Sequence, residues 1–161
     1  MSGLRIGHGF DTHALEGGRR LLLGGVEIPH SRGLAGHSDG DVLLHAVASA
    51  LLGALGEGDL GSHFPSDDPA LKGIASAKLL EHVLAQVEAR GLALVNLDTT
   101  VVAQEPRLAP HLGALRAGLA AALGSDPSRV NVKVTSTDRL GAIGRSEGIA
   151  AFAVVLLEPA S

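Results

Sequence analysis

The sequence predicts an α+β fold, in which a mixed four-stranded sheet carries helices on one face and is accompanied by an extra β-hairpin. Strand-like and helix-like segments follow one another in the order β-β-α-α-β-α-β-β, recognised by β-branched residues and by apolar residues at helical spacing. No linker, repeat or low-complexity stretch divides the 161 residues, so residues 1–161 are predicted to form a single domain.

The first part of the chain predicts two strands. Residues 4–10 are predicted to form a strand, and the strand-like segment 6–13 ends in an Asp-x-His pair. Residues 19–28 have the character of a second strand or a hairpin arm. The adjacent Gly24 and Gly25 interrupt this second segment and suggest a β-bulge.

Residues 42–55 are predicted to form the first helix. Ser38 or Asp39 can cap its N-terminus, its apolar residues recur at helical spacing, and Gly56 can end it. Residues 64–73 contain two prolines and are predicted to form a loop.

The second half of the chain alternates helices with strands. Residues 76–90 give the clearest amphipathic pattern, and Gly91 is suited to end that helix. A strand is predicted at 92–103, and a third helix at 110–123 begins with a proline. The last two strands are predicted at 130–137 and 149–157.

Composition limits the chemistry that the chain can perform. With 45% hydrophobic but only 2% aromatic residues, the core is expected to consist of aliphatic side chains. The chain has no cysteine, so a transition metal must be held by histidine and carboxylate. A net charge of −4 without a basic cluster argues against a nucleic-acid partner. Neither a signal core nor an apolar run of membrane-spanning length is present, so we expect a cytoplasmic protein with no membrane partner.

Asp11, His13 and His45 are candidate ligands of one metal ion. Side chains two residues apart in a strand point to the same face, so Asp11 and His13 can chelate an ion together. His45 would complete three protein ligands and leave a fourth position open, as in a catalytic zinc site. Spacing alone leaves open a surface Asp-x-His pair and a core histidine bonded to a backbone carbonyl. The titratable residues between 37 and 41 favour the metal site.

Two further segments are candidates for binding phosphate. The stretch Gly58-Asp59-Leu60-Gly61 can present backbone N–H groups to an anion while its carboxylate binds a divalent cation. Residues 133–138 place three hydroxyls and a carboxylate at the end of a strand, which suits both phosphate and Mg²⁺. An ordinary turn and ordinary strand chemistry are the alternatives at these two places.

The segments with unusual residues are spread along the chain. They are Arg5-Ile6-Gly7-His8-Gly9-Phe10-Asp11 with His13, Gly24-Gly25-Val26, His37-Ser38-Asp39-Gly40-Asp41 with His45, Gly58-Asp59-Leu60-Gly61, Phe64-Pro65, Pro110-His111, Val130-Asn131-Val132-Lys133 and Gly144-Arg145-Ser146-Glu147-Gly148. With these segments the chain resembles, over essentially its whole length, the 2-C-methyl-D-erythritol 2,4-cyclodiphosphate synthase family of the non-mevalonate isoprenoid pathway. The His-Ser-Asp-Gly-Asp block is the most specific match.

The resemblance implies a small α+β subunit that assembles into a homotrimer with an active site at each subunit interface. The family is a phosphorus–oxygen lyase that converts 4-diphosphocytidyl-2-C-methyl-D-erythritol 2-phosphate into the cyclic 2,4-diphosphate and releases CMP. By position, Asp11, His13 and His45 match its zinc ligands, with one Zn²⁺ per subunit. Asp138 matches the ligand of a second divalent cation, Mg²⁺ or Mn²⁺. The implied partner is a cytidine-diphosphate-linked small molecule.

The resemblance also assigns residues around the substrate. His37 and Ser136 take the catalytic positions, and His37 and Ser38 match phosphate contacts. The surroundings of the methylerythritol are Asp59, Leu60, Gly61, Phe64, Pro65, Ser66, Asp67 and Asp68. A cytosine loop, contributed across the interface, consists of Ala103, Gln104, Glu105, Pro106, Arg107, Leu108 and Ala109. Further substrate-binding positions are Asp11, His13, Thr135, Ser136, Thr137, Asp138, Ala142 and Arg145.

Three residues depart from the family pattern. Asp138 is one methylene shorter than the glutamate common at its position, so the second cation is expected to sit differently or to be held through a water molecule. Ser66 replaces an acidic residue, for which Asp67 or Asp68 can compensate. Ala142 stands where some members carry a phenylalanine that faces the central cavity of the trimer, which weakens the case for a hydrophobic isoprenoid there.

Two alternative functions share these residues. A metal-dependent phosphohydrolase would use a metal-bound hydroxide as its nucleophile and would need no cytosine pocket. A non-catalytic trimeric binding module would use the metal only to stabilise the interface between subunits. The products separate these hypotheses, because only the synthase forms a cyclic diphosphate and CMP.

Overall fold

A computed structural model describes residues 3–160, and Met1, Ser2 and Ser161 of the predicted domain lie outside the described residues. The strands are β1 (Arg5–Gly17), β2 (Leu21–Leu23), β3 (Val26–Ile28), β4 (Arg32–Leu34), β5 (Leu92–Val102), β6 (Val130–Thr135) and β7 (Gly148–Pro159). The main sheet has the order β4-β1-β7-β5-β6. It is mixed, because β5 and β6 are parallel while the other neighbours are antiparallel. The predicted α+β class and mixed sheet are therefore confirmed.

The prediction of four strands in this sheet is wrong, because β4 adds a fifth. This short strand pairs with the end of β1, where Leu15 lies opposite Leu34. Its central residue, Gly33, has no room for a side chain, since a Cβ atom there would lie 2.2 Å from the carbonyl oxygen of Arg20. A three-residue strand with a central glycine has no alternation that a sequence pattern can detect.

β1 is also longer than predicted, and this changes the setting of the metal candidates. The strand continues to Gly17 instead of ending near residue 10. Asp11 lies opposite Ala151 of β7, and His13 lies opposite Ile149. Both candidate ligands are therefore held inside a paired strand, not at a free strand end.

The predicted hairpin is present as β2 and β3. Gly24 and Gly25 form its two-residue turn with φ angles of 59° and 76°, the left-handed backbone that a tight hairpin turn of this kind requires. The strands stay in register, with Leu23 opposite Val26, so the predicted β-bulge is wrong.

The helices are α1 (Val42–Leu55), α2 (Leu60–His63), α3 (Ser76–Ala89), α4 (Leu112–Ala122) and α5 (Gly141–Gly144), with 3-10 turns at Pro69–Leu71, Ala109–His111 and Pro127–Arg129. The three long helices lie where the sequence predicted them. The N-cap of α1 is Asp41, so the predicted caps, Ser38 and Asp39, are wrong. Within residues 3–160, none of the helices has the length and apolar character needed to cross a membrane.

The Asp41 carboxylate joins the hairpin turn to the start of α1. Its Oδ1 atom accepts hydrogen bonds from the backbone N–H of Leu44 (3.0 Å) and of Gly24 (2.9 Å), and its Oδ2 atom accepts one from Gly25 (2.7 Å). Burial raises the pKa of Asp41, and the three backbone hydrogen bonds oppose that rise because they favour the charged form. A single buried side chain thus fixes both the helix N-terminus and the turn.

Helix α1 lies directly against β1 because two glycines remove the side chains between them. A Cβ atom on Gly7 would lie 1.9 Å from the carbonyl oxygen of Ala50, and one on Gly9 would lie 1.9 Å from that of Ala46. Nearly the whole helix surface is buried in the aliphatic core. A helix that is apolar all round fits such an interior position. The result is backbone-to-backbone contact between the two elements.

The opposite face of the sheet exposes large apolar side chains. On β1 these are Ile6 and Phe10, which are 72% and 49% exposed. Phe152 and Val154 on β7 are 40% and 39% exposed, and the rings of Phe10 and Phe152 lie 4.9 Å apart. Exposed apolar patches of this kind are typical of interaction surfaces. The described part of the chain leaves this sheet face uncovered.

The contact between α1 and β1 yields a stability prediction. We expect Gly9→Ala to lower the free energy of unfolding by at least about 2 kcal/mol, because the added methyl group collides with the helix backbone. Gly17→Ala is the matched control on the same strand: its Cβ would have no heavy atom within 4 Å, so the change should stay within about 0.5 kcal/mol. Urea denaturation measures both, and equal effects would contradict the close approach.

Candidate metal centre and active site

β1 and α1 bring Asp11, His13 and His45 to one point. The Nε2 atom of His13 lies 2.8 Å from Oδ2 of Asp11 and 3.2 Å from Nδ1 of His45. The Nδ1 atom of His45 lies 3.0 Å from the same Asp11 oxygen. Among residues 3–160, this is the one group of three histidine, cysteine or carboxylate side chains whose ligand atoms lie close enough to share a metal ion.

The outer ring nitrogens of both histidines have hydrogen-bond partners. Nδ1 of His13 contacts the backbone carbonyl oxygen of Ala35, which can only accept a hydrogen bond. Nε2 of His45 lies 2.9 Å from the hydroxyl oxygen of Ser76 and 3.1 Å from that of Ser38. If the outer nitrogens carry the protons, the inner nitrogens present lone pairs to the Asp11 carboxylate. Metal-binding histidines usually have this arrangement.

The spacing of the three inner atoms fits a small cation. Ligand atoms of a tetrahedral zinc, at about 2.0–2.2 Å from the ion, are separated from one another by about 3.4 Å. The observed separations of 2.8–3.2 Å need only a small outward movement to reach this value. Two nitrogens and one oxygen also match the ligand types that a cysteine-free chain can offer to a divalent metal.

Electrostatics at this site favour positive charge. Burial tends to raise the pKa of Asp11. When the inner ring nitrogens carry protons in the absence of a metal ion, hydrogen bonds from His13 and His45 and the charge on those rings outweigh burial and hold the pKa of Asp11 well below its usual range. Burial tends to lower the pKa of His13, but the hydrogen bond and charge of Asp11 prevail and raise it. An ionised carboxylate therefore stabilises a cation here, whether a proton on His13 or a metal ion.

A cavity of about 350 Å³ opens beside the three ligands. It gathers most of the residues that the resemblance placed around phosphate and sugar: Asp11, His13, His37, Ser38, His45, Leu60, Gly61, Phe64, Pro65 and Ser66. Leu71, Ile74 and Leu79 supply an apolar wall that the sequence did not predict.

Three predicted site carboxylates do not line this cavity. Asp59 caps α2 by accepting a hydrogen bond from the backbone N–H of Ser62 (2.8 Å). Asp68 caps the 3-10 turn that follows it by accepting one from Ala70 (2.9 Å). Asp67 is exposed on the same loop. In this structure Asp59 and Asp68 hold the ends of short helical turns, and a role in substrate binding stays a prediction for all three.

A second cavity, of about 320 Å³, contains the predicted cytosine loop. Its walls are Ala103, Gln104, Pro106, Arg107, Leu108 and Ala109, together with Val134, Thr135 and Ser136. Glu105 belongs to the loop but does not line the cavity. The two cavities have no lining residue in common. One chain therefore keeps the metal cluster and the 103–109 loop in separate depressions.

The remaining predicted residues lie outside both cavities. Asp138 is exposed and has a left-handed backbone with φ 51°, and its N–H donates to the Ser136 hydroxyl oxygen at 3.3 Å. Thr137 donates a hydrogen bond to the carbonyl oxygen of Leu140. Ala142 is exposed in α5. Arg145 forms an exposed ion pair with Glu147.

Sequence reasoning did not identify two residues that shape the site. The Arg19 guanidinium donates hydrogen bonds to the carbonyl oxygens of Gly36 (3.1 Å) and Ser38 (2.8 Å), and so holds the loop before α1. Ser76 reaches His45 from the start of α3. A serine at the start of a helical pattern is typical of a helix N-terminus. The sequence therefore indicated a helix end at Ser76 and did not indicate the contact between Ser76 and His45.

Comparisons with known proteins agree with the geometry. The model of the YgbB family matches residues 4–158. A 2-C-methyl-D-erythritol 2,4-cyclodiphosphate synthase of Geotalea uraniireducens is 59% identical over 155 residues, which are 96% of this chain and 99% of the relative.

Two solved structures share the fold along the whole chain. The bifunctional IspDF of Campylobacter jejuni has a TM-score of 0.93 and 42% identity, and the match covers 99% of this chain and 43% of that one. IspF of Plasmodium falciparum, solved as a CDP complex, has a TM-score of 0.87 and 32% identity, and the match covers 100% of this chain and 99% of that one. The chain thus belongs to the YgbB family, the family of the 2-C-methyl-D-erythritol 2,4-cyclodiphosphate synthases.

Proposed function

We propose that this protein converts 4-diphosphocytidyl-2-C-methyl-D-erythritol 2-phosphate into 2-C-methyl-D-erythritol 2,4-cyclodiphosphate and CMP. The observation that carries the proposal is the cluster of Asp11, His13 and His45 in the wall of a cavity, in a chain of this family. In this reaction an oxygen of the 2-phosphate bonds to the β-phosphorus of the cytidine diphosphate, and the bond from that phosphorus to the CMP oxygen breaks.

The side chains of this enzyme mainly position the phosphates. The 2-phosphate oxygen is ionised at neutral pH, so it needs no general base. Asp11, His13 and His45 would hold Zn²⁺, and Asp138 would take part in holding Mg²⁺ or Mn²⁺. When bound, these cations supply positive charge that offsets the repulsion between the two phosphate groups. His37 and Ser136 are proposed to contact the reacting phosphates, which reduces the entropy cost of aligning them.

The substrate pocket is proposed to form between subunits of a homotrimer. Asp11, Ala151, Val101 and Val134 lie side by side on four neighbouring strands. Three strand spacings separate the ends of this row by roughly 14 Å, so the metal cluster and the 103–109 loop are apart within one chain. The uncovered apolar sheet face offers a surface for neighbouring subunits. A neighbour would then bring its 103–109 loop to the metal cluster.

Residues 1–161 are proposed to act as one cyclodiphosphate synthase domain. A single cluster of buried apolar residues extends from Leu15 to Leu157, which supports this proposal. A cytoplasmic location stays a prediction from the sequence.

A turnover assay with the cytidine substrate tests the proposed reaction. Supplied with Zn²⁺ and Mg²⁺, the protein should release CMP and the cyclic diphosphate in equal amounts, identified by ³¹P NMR. Release of inorganic phosphate would instead indicate the phosphohydrolase, and no turnover by a metal-loaded trimer would indicate the binding module.

The metal cluster yields a prediction about zinc content. We expect the zinc content of His13→Ala to fall from about one ion per chain to nearly none. Its kcat/KM should fall by at least about a thousandfold. His63→Ala is the matched control, because His63 also contacts a backbone carbonyl, that of Glu57, but is not part of the cluster. Atomic absorption measures the zinc; retention of one ion per chain by His13→Ala would refute the site.

The uncovered sheet face yields a prediction about assembly. We expect Phe152→Glu to place charge on this face and to give a monomer that still binds zinc but does not turn over. Ala77→Glu adds the same charge on the exposed side of α3 and should remain a trimer. Light scattering gives the mass of each, and a monomeric parent with full activity would contradict the shared site.

Asp138 yields a prediction about the second cation. We expect Asp138→Asn to keep its zinc and the local left-handed backbone but to turn over about 30- to 1,000-fold more slowly, a loss of about 2–4 kcal/mol in transition-state stabilisation. Asp138→Ala should behave similarly, whereas Asp138→Glu, with the family's longer carboxylate, should keep or raise activity. Parent-like rates for Asp138→Asn at limiting Mg²⁺ would show that Asp138 holds no cation.

A further inference from the structure

The outer ring nitrogen of His45 lies in a buried polar pocket made by two segments that are distant in sequence. Ser38 precedes α1, and Ser76 begins α3, yet their hydroxyl oxygens lie 3.2 Å apart, and both lie within hydrogen-bond distance of His45 Nε2. Ser76 is 1% exposed and Ser38 is 8% exposed. Buried hydroxyls at a ligand's second nitrogen suggest a role beyond filling space.

Asp39 fixes the orientation of the Ser76 hydroxyl. Its Oδ1 atom accepts a hydrogen bond from this hydroxyl, and its Oδ2 atom accepts one from the backbone N–H of Ser76 at 3.1 Å. Oδ1 also accepts a hydrogen bond from the backbone N–H of Asp41 at 3.2 Å. An ionised carboxylate only accepts hydrogen bonds, so the Ser76 proton is committed to Asp39.

The direction of the remaining hydrogen bonds follows from this commitment. The Ser76 oxygen has donated its proton to Asp39 and can offer only lone pairs to His45 and Ser38. Nε2 of His45 must then carry a hydrogen to donate. In the neutral ring the lone pair is then on Nδ1, the atom that faces Asp11 and His13.

We propose that Asp39 and Ser76 are positioning residues for the metal site, which select the ring tautomer and orientation in which His45 binds the ion. This inference rests on the metal site of the proposed function. Asp39 acts on the metal only through Ser76 and His45, since its carboxylate contacts neither Asp11 nor His13 within the described hydrogen bonds. The chain of contacts runs from the carboxylate through the hydroxyl and the imidazole to the ion.

A purely structural role for Asp39 is the competing explanation. Ala75, the N-cap of α3, has no side chain that can cap the helix, and the Asp39 carboxylate accepts the N–H of Ser76 in its place. A capping role alone predicts that changes at Ser76 or Asp39 affect stability and leave metal affinity untouched. The positioning role predicts that metal affinity changes too.

His45 depends on side chains in a way that His13 does not. The outer nitrogen of His13 contacts the backbone carbonyl of Ala35, which is present whatever the side chain at that position. The outer nitrogen of His45 contacts only the two serine hydroxyls among its described partners. Substitutions of the two serines can therefore perturb His45 and leave Asp11 and His13 in place.

The test is zinc affinity of the apoprotein, measured by competition with a chromophoric chelator. We expect Ser76→Ala to bind zinc about 10- to 100-fold more weakly than the parent, the range typical when a ligand's hydrogen-bond partner is removed. Asp39→Asn, which keeps an acceptor for the Ser76 N–H but loses the charge, should weaken binding about tenfold. This second variant decides the matter if Ser76→Ala does not fold.

Thr99→Val is the matched control for loss of a buried hydroxyl. Thr99 is 1% exposed, and its hydroxyl donates to the carbonyl oxygen of Asn131 at 2.9 Å, away from the metal cluster. It should lose stability without losing zinc affinity. Ring ¹⁵N NMR of the apoprotein is a second measure: His45 should be the Nε2–H tautomer in the parent and a mixture in Ser76→Ala.

Each outcome decides between the hypotheses. If the parent binds zinc and both site variants bind it equally well with an unchanged His45 tautomer, Asp39 and Ser76 only cap α3 and the positioning role is refuted. If the parent binds no zinc at all, the proposed metal site fails and the inference fails with it. Weaker binding in the site variants, with Thr99→Val unchanged, supports the assignment.

Discussion

The close approach of α1 to β1 is the constraint on which the active site depends. Asp11 and His13 lie on the strand, and His45 lies on the helix, so the position of the helix against the strand sets the distances between their ligand atoms. Gly7 and Gly9 make this approach possible, because any side chain there would occupy the space of a helix carbonyl oxygen. The aliphatic core, which contains almost no large aromatic rings, fills the rest of the contact.

Three carboxylates, of which Asp41 is buried and Asp11 and Asp39 are half-buried, organise the segments around this contact. Asp41 binds the hairpin turn and the start of α1, and Asp39, two residues earlier, binds the start of α3. Each satisfies backbone N–H groups that would otherwise be left without partners at helix and turn ends. Asp11 differs, because its Oδ2 atom faces two histidine rings and its charge is available to a cation, while only its Oδ1 atom accepts a backbone N–H, that of Thr12. Aspartate thus binds backbone N–H groups at two of these positions and is a candidate metal ligand at the third, and the neighbouring groups determine which role each one has.

The fold gives different elements different tasks. A paired strand and a buried helix carry the candidate metal ligands, and such elements hold side chains within the narrow tolerances that metal binding requires. The α2 segment and the loop beyond it form the wall of the same cavity and are held mainly by local caps from Asp59 and Asp68. The 103–109 loop lies at the far side of the sheet in a cavity of its own. The proposed site would use both cavities, which share no lining residue within one chain, and the uncovered apolar sheet face gives a physical reason for the proposed association of chains.

The sequence by itself determined the fold class, the three long helices, the hairpin and the three residues that form the candidate metal cluster. Helical periodicity identified α1, α3 and α4, and the Asp-x-His spacing on a strand placed two ligands on one face. Its motifs also determined the family. Only the tertiary structure decided the fifth strand, the cap of α1 by Asp41, and the contact of Ser76 with His45. The physical reason is the distance in sequence between the interacting residues. Periodicity and capping signals act between residues a few positions apart. The three-residue edge strand, the carboxylate bonded to a distant turn and the hydroxyl beside His45 depend on packing that brings remote segments together.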